Sequence, residues 1–258
     1  MGHLFLRNLP RTRKWKQVIE LLEANGEVPE IARASLEAIQ YGLKKVPDDP
    51  GFCQTLTAVF DFTNSLQSPD PAGSLWEKGF DLPANPLVLD YVAAFKRKVD
   101  KELSAHKTRS DLSEMAQNAF TDTLVKSATT SESLFRITHK EAQTILKRQF
   151  AGQNFKSIMH EFFTGFTSRY LQSYLTRALP GYVGPNRQFG SMDSYKSFND
   201  AFDLHIRQTV RITDDFVPGW YGKARFEGRL TPDSVTQFAY VAFKKIRGEF
   251  ERGATDDG

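Results

Sequence analysis

Histidine and cysteine side chains are the ones that most often bind metal ions or act in nucleophilic catalysis. The sequence holds one cysteine, Cys53, and five histidines: His3, His106, His139, His160 and His205. No two histidines are four residues apart, the spacing with which a zinc-protease helix presents its ligands. His160-Glu161 matches half of that motif, but Thr164 stands where the second histidine belongs. The spacing predicts no metal site.

The sequence gives equally little support for nucleophilic catalysis and for a phosphate-binding loop. His205 lies seven residues after Phe198 on an apolar helix face, which predicts a hydrogen-bonded core histidine, and Cys53 is expected to pack as a small apolar side chain. The glycine-rich loop 181–190 lacks the Lys-Ser/Thr ending of a phosphate-binding loop. We expect no cofactor and no enzymatic activity, with a nuclease that uses scattered His and Asp residues as the catalytic alternative.

Segment 211–229 mixes arginine with aromatic residues. Protein interfaces are enriched in this combination, and it also suits stacking on single-stranded nucleic acid. A third interpretation is that the aromatic side chains close the end of a helical bundle. The predicted partner-binding residues are Arg211, Phe216, Trp220, Tyr221, Lys223, Arg225 and Arg229.

Positive charge is unevenly distributed although the net charge is only +3. Residues 136–211 hold eleven Lys/Arg against five Asp/Glu, and residues 1–16 hold five basic residues and no acid. Basic helix faces make nucleic-acid binding the second functional hypothesis, and ordinary solvated helix surfaces are the other explanation. The candidate residues are Arg11, Arg13, Lys14, Lys16, Arg187, Arg207, Lys244 and Lys245.

The elements that carry these residues are predicted to be helices. Apolar residues recur at helical spacing and predict an all-α bundle of about eight helices. Thr138 and Glu141 form the pattern of a capping box, and Thr231-Pro232 the pattern of a helix start. Residues 68–86 are predicted to be the least regular stretch of the first half, with a short helix capped at Ser74. Residues 214–230 are predicted to be irregular, with a short hairpin arm at 220–226, because proline and glycine interrupt them.

The longest helix is predicted from about residue 153 to 179, with an aromatic stripe on which helices 194–212 and 232–251 pack. The Ser/Thr-rich stretch 127–135 is the predicted hinge. The chain therefore forms either one compact domain or two packed helical lobes, 1–130 and 131–258.

Composition is that of a globular protein, with 40% apolar, 12% aromatic and 25% charged residues. One cysteine permits no internal disulfide, and Leu4-Phe5-Leu6 is too short for a secretory signal. No apolar run reaches the roughly 18 residues of a membrane span. A cytoplasmic location is expected.

The run from Asp215 to Lys223, followed by the helix 238–250, resembles helical accessory proteins encoded in bacterial multi-gene operons, including anti-phage defence operons. The runs 170–180 and 182–184 add to this resemblance, which covers at most the C-terminal 100 residues. It implies a non-catalytic accessory or scaffold subunit that binds protein partners. It assigns no role to a particular residue and leaves self-association open.

Overall fold

The computed structural model describes residues 12–24, 26–129, 138–178, 184 and 189–253, and all secondary-structure elements in these ranges are helices. A 3-10 helix, Gln40–Asp48, lies between the second and third α-helices. The α-helices are α1 (Arg13–Glu23), α2 (Val28–Ile39), α3 (Pro50–Leu66), α4 (Pro71–Glu77), α5 (Val88–His106), α6 (Asp111–Thr129), α7 (His139–Gln149), α8 (Gly152–Ala178), α9 (Met192–Val210), α10 (Thr213–Phe226) and α11 (Pro232–Gly253). The all-α class is confirmed, and the predicted number of about eight helices is too low.

Helix ends with strong local capping agree with the sequence prediction. The Thr138 hydroxyl accepts from the Glu141 backbone N–H, while the Glu141 carboxylate accepts from the Thr138 N–H at 2.7 Å. Thr231 precedes α11, and Pro232 is its first residue. The long helix α8 begins and ends within one residue of its predicted bounds. These features were predictable because a few adjacent residues determine them.

The start of α4 was predicted at the wrong residue. The helix begins at Pro71, and the Asp70 carboxylate caps it by accepting the Gly73 backbone N–H at 3.1 Å. Ser74 lies within the helix. An aspartate cap followed by proline in the first turn is a more favourable start than a serine three residues later.

The prediction that residues 214–230 are irregular, with a hairpin arm at 220–226, was wrong for residues 214–226, because residues 213–226 form α10. Pro218 lies inside this helix and cannot donate a hydrogen bond to the preceding turn. Val217, Tyr221 and Ala224 nevertheless share one buried face. Burial of that face compensates for the helix-breaking residues, a tertiary effect that local propensity does not include.

Helix α3 lies at the centre of the core. Its rings Phe60 and Phe62 are both fully buried but face opposite sides. Phe60 contacts Tyr221 and Phe238, with ring centroids 5.7 and 5.3 Å away, whereas Phe62 contacts Phe120 at 5.8 Å. The elements on both sides of residue 131 therefore share one hydrophobic core.

Helix α8 packs mainly against α6, α10 and α9. The predicted neighbour α11 contacts α8 through rings, with Phe163 and Phe238 centroids 6.1 Å apart, but it lies mainly along the 3-10 helix and α3. The boundary between two lobes stays a prediction, since the hinge stretch beyond residue 129 is outside the described ranges. None of the described helices has the length and apolar character that crossing a bilayer requires.

Candidate partner-binding surface

The inner face of α10 holds aromatic rings against the core. Tyr221 is 6% exposed, and its ring lies 4.3 Å from Phe155 and 5.7 Å from Phe60. Trp220 and Phe216 are half-buried against Phe238, at 4.3 and 5.8 Å. These three side chains therefore pack against rings of the core.

The last residue of α10, Phe226, is exposed to solvent. Phe226 is nine residues after the buried Val217, which places it half a turn away on the helix surface. Its side chain is 92% exposed, the highest value among the large apolar residues that the structure describes. A groove of about 450 Å³ lies beside it, lined by Phe150, Phe155, Pro218, Tyr221, Gly222 and Arg225. Phe226 and this groove are called the Phe226 surface below.

Hydrogen bonds between segments that are distant in the sequence connect the elements around the Phe226 surface. The Arg225 guanidinium donates to the Gln67 carbonyl at 3.2 Å, and the Gln67 amide donates to the Lys147 carbonyl at 2.8 Å. Gly152 begins α8 with a φ of +52°, a left-handed conformation that glycine adopts without a steric penalty. The groove is thus formed by the ends of α3, α7 and α10 and the start of α8.

The Tyr221 hydroxyl is buried and has no hydrogen-bond partner among the described residues. Burial raises the pKa of Tyr221 to about 12, although the positive charge of Arg225 opposes the rise. The hydroxyl is therefore protonated at neutral pH and can donate a hydrogen bond. An unpaired buried hydroxyl is unfavourable by about 1–3 kcal/mol, so this group does not stabilise the fold.

A second groove of about 460 Å³ lies on the other side of α10, where α10 meets the start of α11. Its lining includes Trp220, Lys223, Arg229, Asp233 and Gln237. The Arg229 guanidinium is paired with the Glu227 carboxylate. Lys223 thus remains as the exposed cation of this groove without an ion pair in the described structure.

The structure brings most of the predicted partner-binding residues together. Trp220, Tyr221, Lys223, Arg225 and Arg229 line one or the other groove. Phe216 and Arg211 line neither: Phe216 packs beneath Lys245, and Arg211 is exposed between α9 and α10. Sequence reasoning did not find Phe226, Phe150 or Phe155. Only the helical phase of α10 identifies Phe226 as a surface residue, and that helix was not predicted.

The predicted nucleic-acid residues lie on several elements. Lys14 on α1 pairs with Glu37 at 3.8 Å, and Arg13 and Lys16 are exposed on the same helix. Arg207 lies in a third groove, between α6, α8 and α9, where it pairs with Glu161. Lys245 covers the Phe216 ring at 5.4 Å, and Lys244 is exposed. Arg11 and Arg187 lie outside the described residues.

The structure also shows the burial and contacts of the histidines considered for catalysis. The prediction of a core histidine at His205 was wrong, because this residue is only partly buried. The His160 side chain is 12% exposed, its Nδ1 lies 3.2 Å from Asp214 Oδ1, and Lys156 lies 3.6 Å from the same carboxylate. Burial lowers the pKa of His160, and the Asp214 charge opposes this.

The Cys53 thiol is half-buried and donates to the Pro47 carbonyl at 3.3 Å. Across residues 12–253, excluding the undescribed gaps, no group of three His, Cys, Asp or Glu side chains is arranged to hold a metal ion. Comparison of the chain with protein-family models, with curated proteins and with solved structures finds no match.

Proposed function

We propose that this chain is a cytoplasmic, non-catalytic accessory subunit that binds a segment of a partner protein at the Phe226 surface. The observation that carries the proposal is the 92% exposure of Phe226 beside a groove lined by aromatic rings. Covering a phenylalanine side chain stabilises an association by roughly 1.5–3 kcal/mol. Large exposed apolar side chains next to a pocket are typical of interaction sites.

The chemistry of the groove specifies the partner segment. Phe150, Phe155 and Pro218 provide an apolar wall, while the exposed Arg225 provides a positive charge. An apolar or aromatic side chain fits the wall, and an adjacent carboxylate pairs with Arg225. The expected occupant is therefore a peptide segment with an apolar residue beside an acidic one. The resemblance to accessory proteins implies the same class of function.

Two glycines of α10 offer a matched test of this proposal. A Cβ added at Gly219 or at Gly222 meets no atom within 4 Å, so both positions accept a side chain without disturbing the core. Gly222 lines the groove, whereas Gly219 does not. Gly222→Leu is expected to fill the groove, and Gly219→Leu changes the same helix by the same chemistry while leaving the groove open.

Random peptides displayed on phage would be selected on the purified protein, with affinities of the enriched peptides then measured by titration calorimetry. We expect enrichment of apolar-acidic pairs, binding that Gly222→Leu and Phe226→Ala abolish, and binding that Gly219→Leu preserves. Enriched peptides that bind the Gly222→Leu variant as tightly as the parent protein would refute the proposed site. Failure to enrich any sequence would contradict the proposed function itself.

A further inference from the structure

A second surface lies where the 3-10 helix runs along α11. Two contacts fix how these helices align: the Tyr240 hydroxyl donates to Asp48, and the Arg247 guanidinium lies 5.7 Å from the centre of the Tyr41 ring. Arg247 follows Tyr240 in α11, whereas its partner Tyr41 precedes Asp48 in the 3-10 helix. The two helices are therefore antiparallel. Lys44 and Lys244 both lie between these two contacts along their helices.

Helical geometry explains why these side chains share one face. Tyr240, Lys244 and Arg247 follow one another at spacings of four and three residues, so they lie along one edge of α11. Side chains three apart are eclipsed in a 3-10 helix, which puts Tyr41 and Lys44 in one row and Lys45 in the adjacent row with Asp48, which contacts α11. We call this surface the lysine seam; it consists of Tyr41, Lys44, Lys45, Tyr240, Lys244 and Arg247.

The seam carries unneutralised positive charge. Lys44, Lys45 and Lys244 are exposed, and no acidic group in the described structure forms an ion pair with them. Glu251 already pairs with Arg247 at 3.6 Å, and the single charge of Asp48, which accepts from the neutral Tyr240 hydroxyl, leaves the seam net positive. Lysines brought together in this way repel one another unless an anion is bound between them.

Exposed aromatic rings accompany this charge. Tyr41 is 67% exposed although Arg247 lies over its ring, and Tyr240 is 46% exposed. Tyr240 and Arg247 are about 10 Å apart along the axis of α11. Positive charge that follows a backbone, together with rings on which bases stack, is the combination by which proteins bind single-stranded nucleic acid. An acidic peptide would use the lysines but gain little from an open tyrosine face.

We infer that the lysine seam binds single-stranded nucleic acid, with phosphates at Lys44, Lys45 and Lys244 and a base stacked on Tyr41. This site is separate from the Phe226 surface and does not depend on the function proposed for it. Binding requires no particular base, because every base offers a face for stacking.

The test measures fluorescence anisotropy of labelled oligothymidylate at several salt concentrations. The variant Lys44→Gln/Lys45→Gln/Lys244→Gln removes three phosphate contacts, so the slope of log affinity against log salt should fall by about 2 in magnitude. The matched control is Lys96→Gln/Lys101→Gln/Lys140→Gln, three exposed lysines of α5 and α7 that likewise form no described ion pair. It should leave the slope unchanged.

Tyrosine variants separate stacking from charge. Tyr41→Ala is expected to weaken binding at least about fivefold, whereas Tyr41→Phe retains the ring and the affinity. Gly222→Leu, which fills the Phe226 surface, should have no effect. The inference is overturned if oligothymidylate fails to bind at low salt, or if the control variant lowers the slope equally. It is also overturned if polyglutamate binds as tightly as the oligonucleotide and Tyr41→Ala changes neither affinity.

Discussion

Glu161 joins three helices through two cations, and replacing it with glutamine should cause a stability loss that depends on pH. Its carboxylate on α8 accepts from Lys126 of α6 at 2.7 Å and from both Nη atoms of Arg207 on α9. Burial alone would raise the pKa of Glu161. The hydrogen bonds and charges of Arg207 and Lys126 outweigh that effect and lower the pKa from 4.5 to about 2.

The size of the effect follows from this displacement of the pKa. Stabilising the ionised carboxylate to this extent corresponds to about 3 kcal/mol of folding free energy. The Glu161 side chain is 25% exposed, and its partners Lys126 and Arg207 are more exposed still, so solvent screening reduces the expected value to about 2 kcal/mol. Because the folded-state pKa is lowered, this stability is present above pH 4.5 and is lost as the pH falls toward 2.

Urea unfolding at pH 7 and at a series of lower pH values provides the measurement. At pH 7, Glu161→Gln should reduce the free energy of unfolding by about 2 kcal/mol, and the difference from the parent protein should shrink below pH 4.5. Asp122→Asn is the control, because Asp122 is 69% exposed and its pair with Arg169 should contribute under about 1 kcal/mol. A Glu161→Gln difference that stays constant down to pH 3 would refute the electrostatic explanation.

Three further predictions concern single side chains. Tyr221→Phe should unfold at the same or a higher temperature than the parent, because the lost hydroxyl has no partner in the described structure; a clear loss of thermal stability would contradict this. Burial lowers the pKa of His160 below 6.5, so its contribution to stability is present above pH 6.5 and lost as the pH falls through the folded-state pKa. His160→Gln should therefore flatten the unfolding free energy between pH 7 and 5, and an unaltered profile would exclude this histidine as its source. Phe60→Ala should cost about 3–5 kcal/mol in urea unfolding, since Phe60 is fully buried among several rings; a loss under about 1 kcal/mol would mean that the surrounding rings collapse into the space.

The sequence predicted those parts of the fold that neighbouring residues determine. The cap at Thr138, the start of α11 and the bounds of α8 depend on patterns within a few residues or on a long periodic stripe. Helix α10 was not predictable in this way, because Pro218 and its adjacent glycine disfavour a helix locally. Only contacts with Phe60 and Phe155, far away in the chain, make the helix favourable.

The surfaces differ in how much of them the sequence could reveal. Segment 211–229 was recognised from its arginine and aromatic content, but which of its rings face solvent depends on the phase of α10. The lysine seam was not recognisable, since it joins Lys44 to Lys244 through the antiparallel register of helices that are distant in sequence. Composition identifies residues suited to an interface, and tertiary packing decides which of them are exposed and adjacent.

The central position of α3 has a consequence for synthesis of the chain on the ribosome. Phe62 can be covered early by Phe80, Phe95 and Phe120, which follow it closely in the sequence. Phe60 must wait for Tyr221 and Phe238, which are made only when α10 and α11 are translated. The growing chain therefore exposes one apolar side of α3 until α10 and α11 emerge, and contacts of such long sequence separation slow folding and favour aggregation or chaperone binding in the interval.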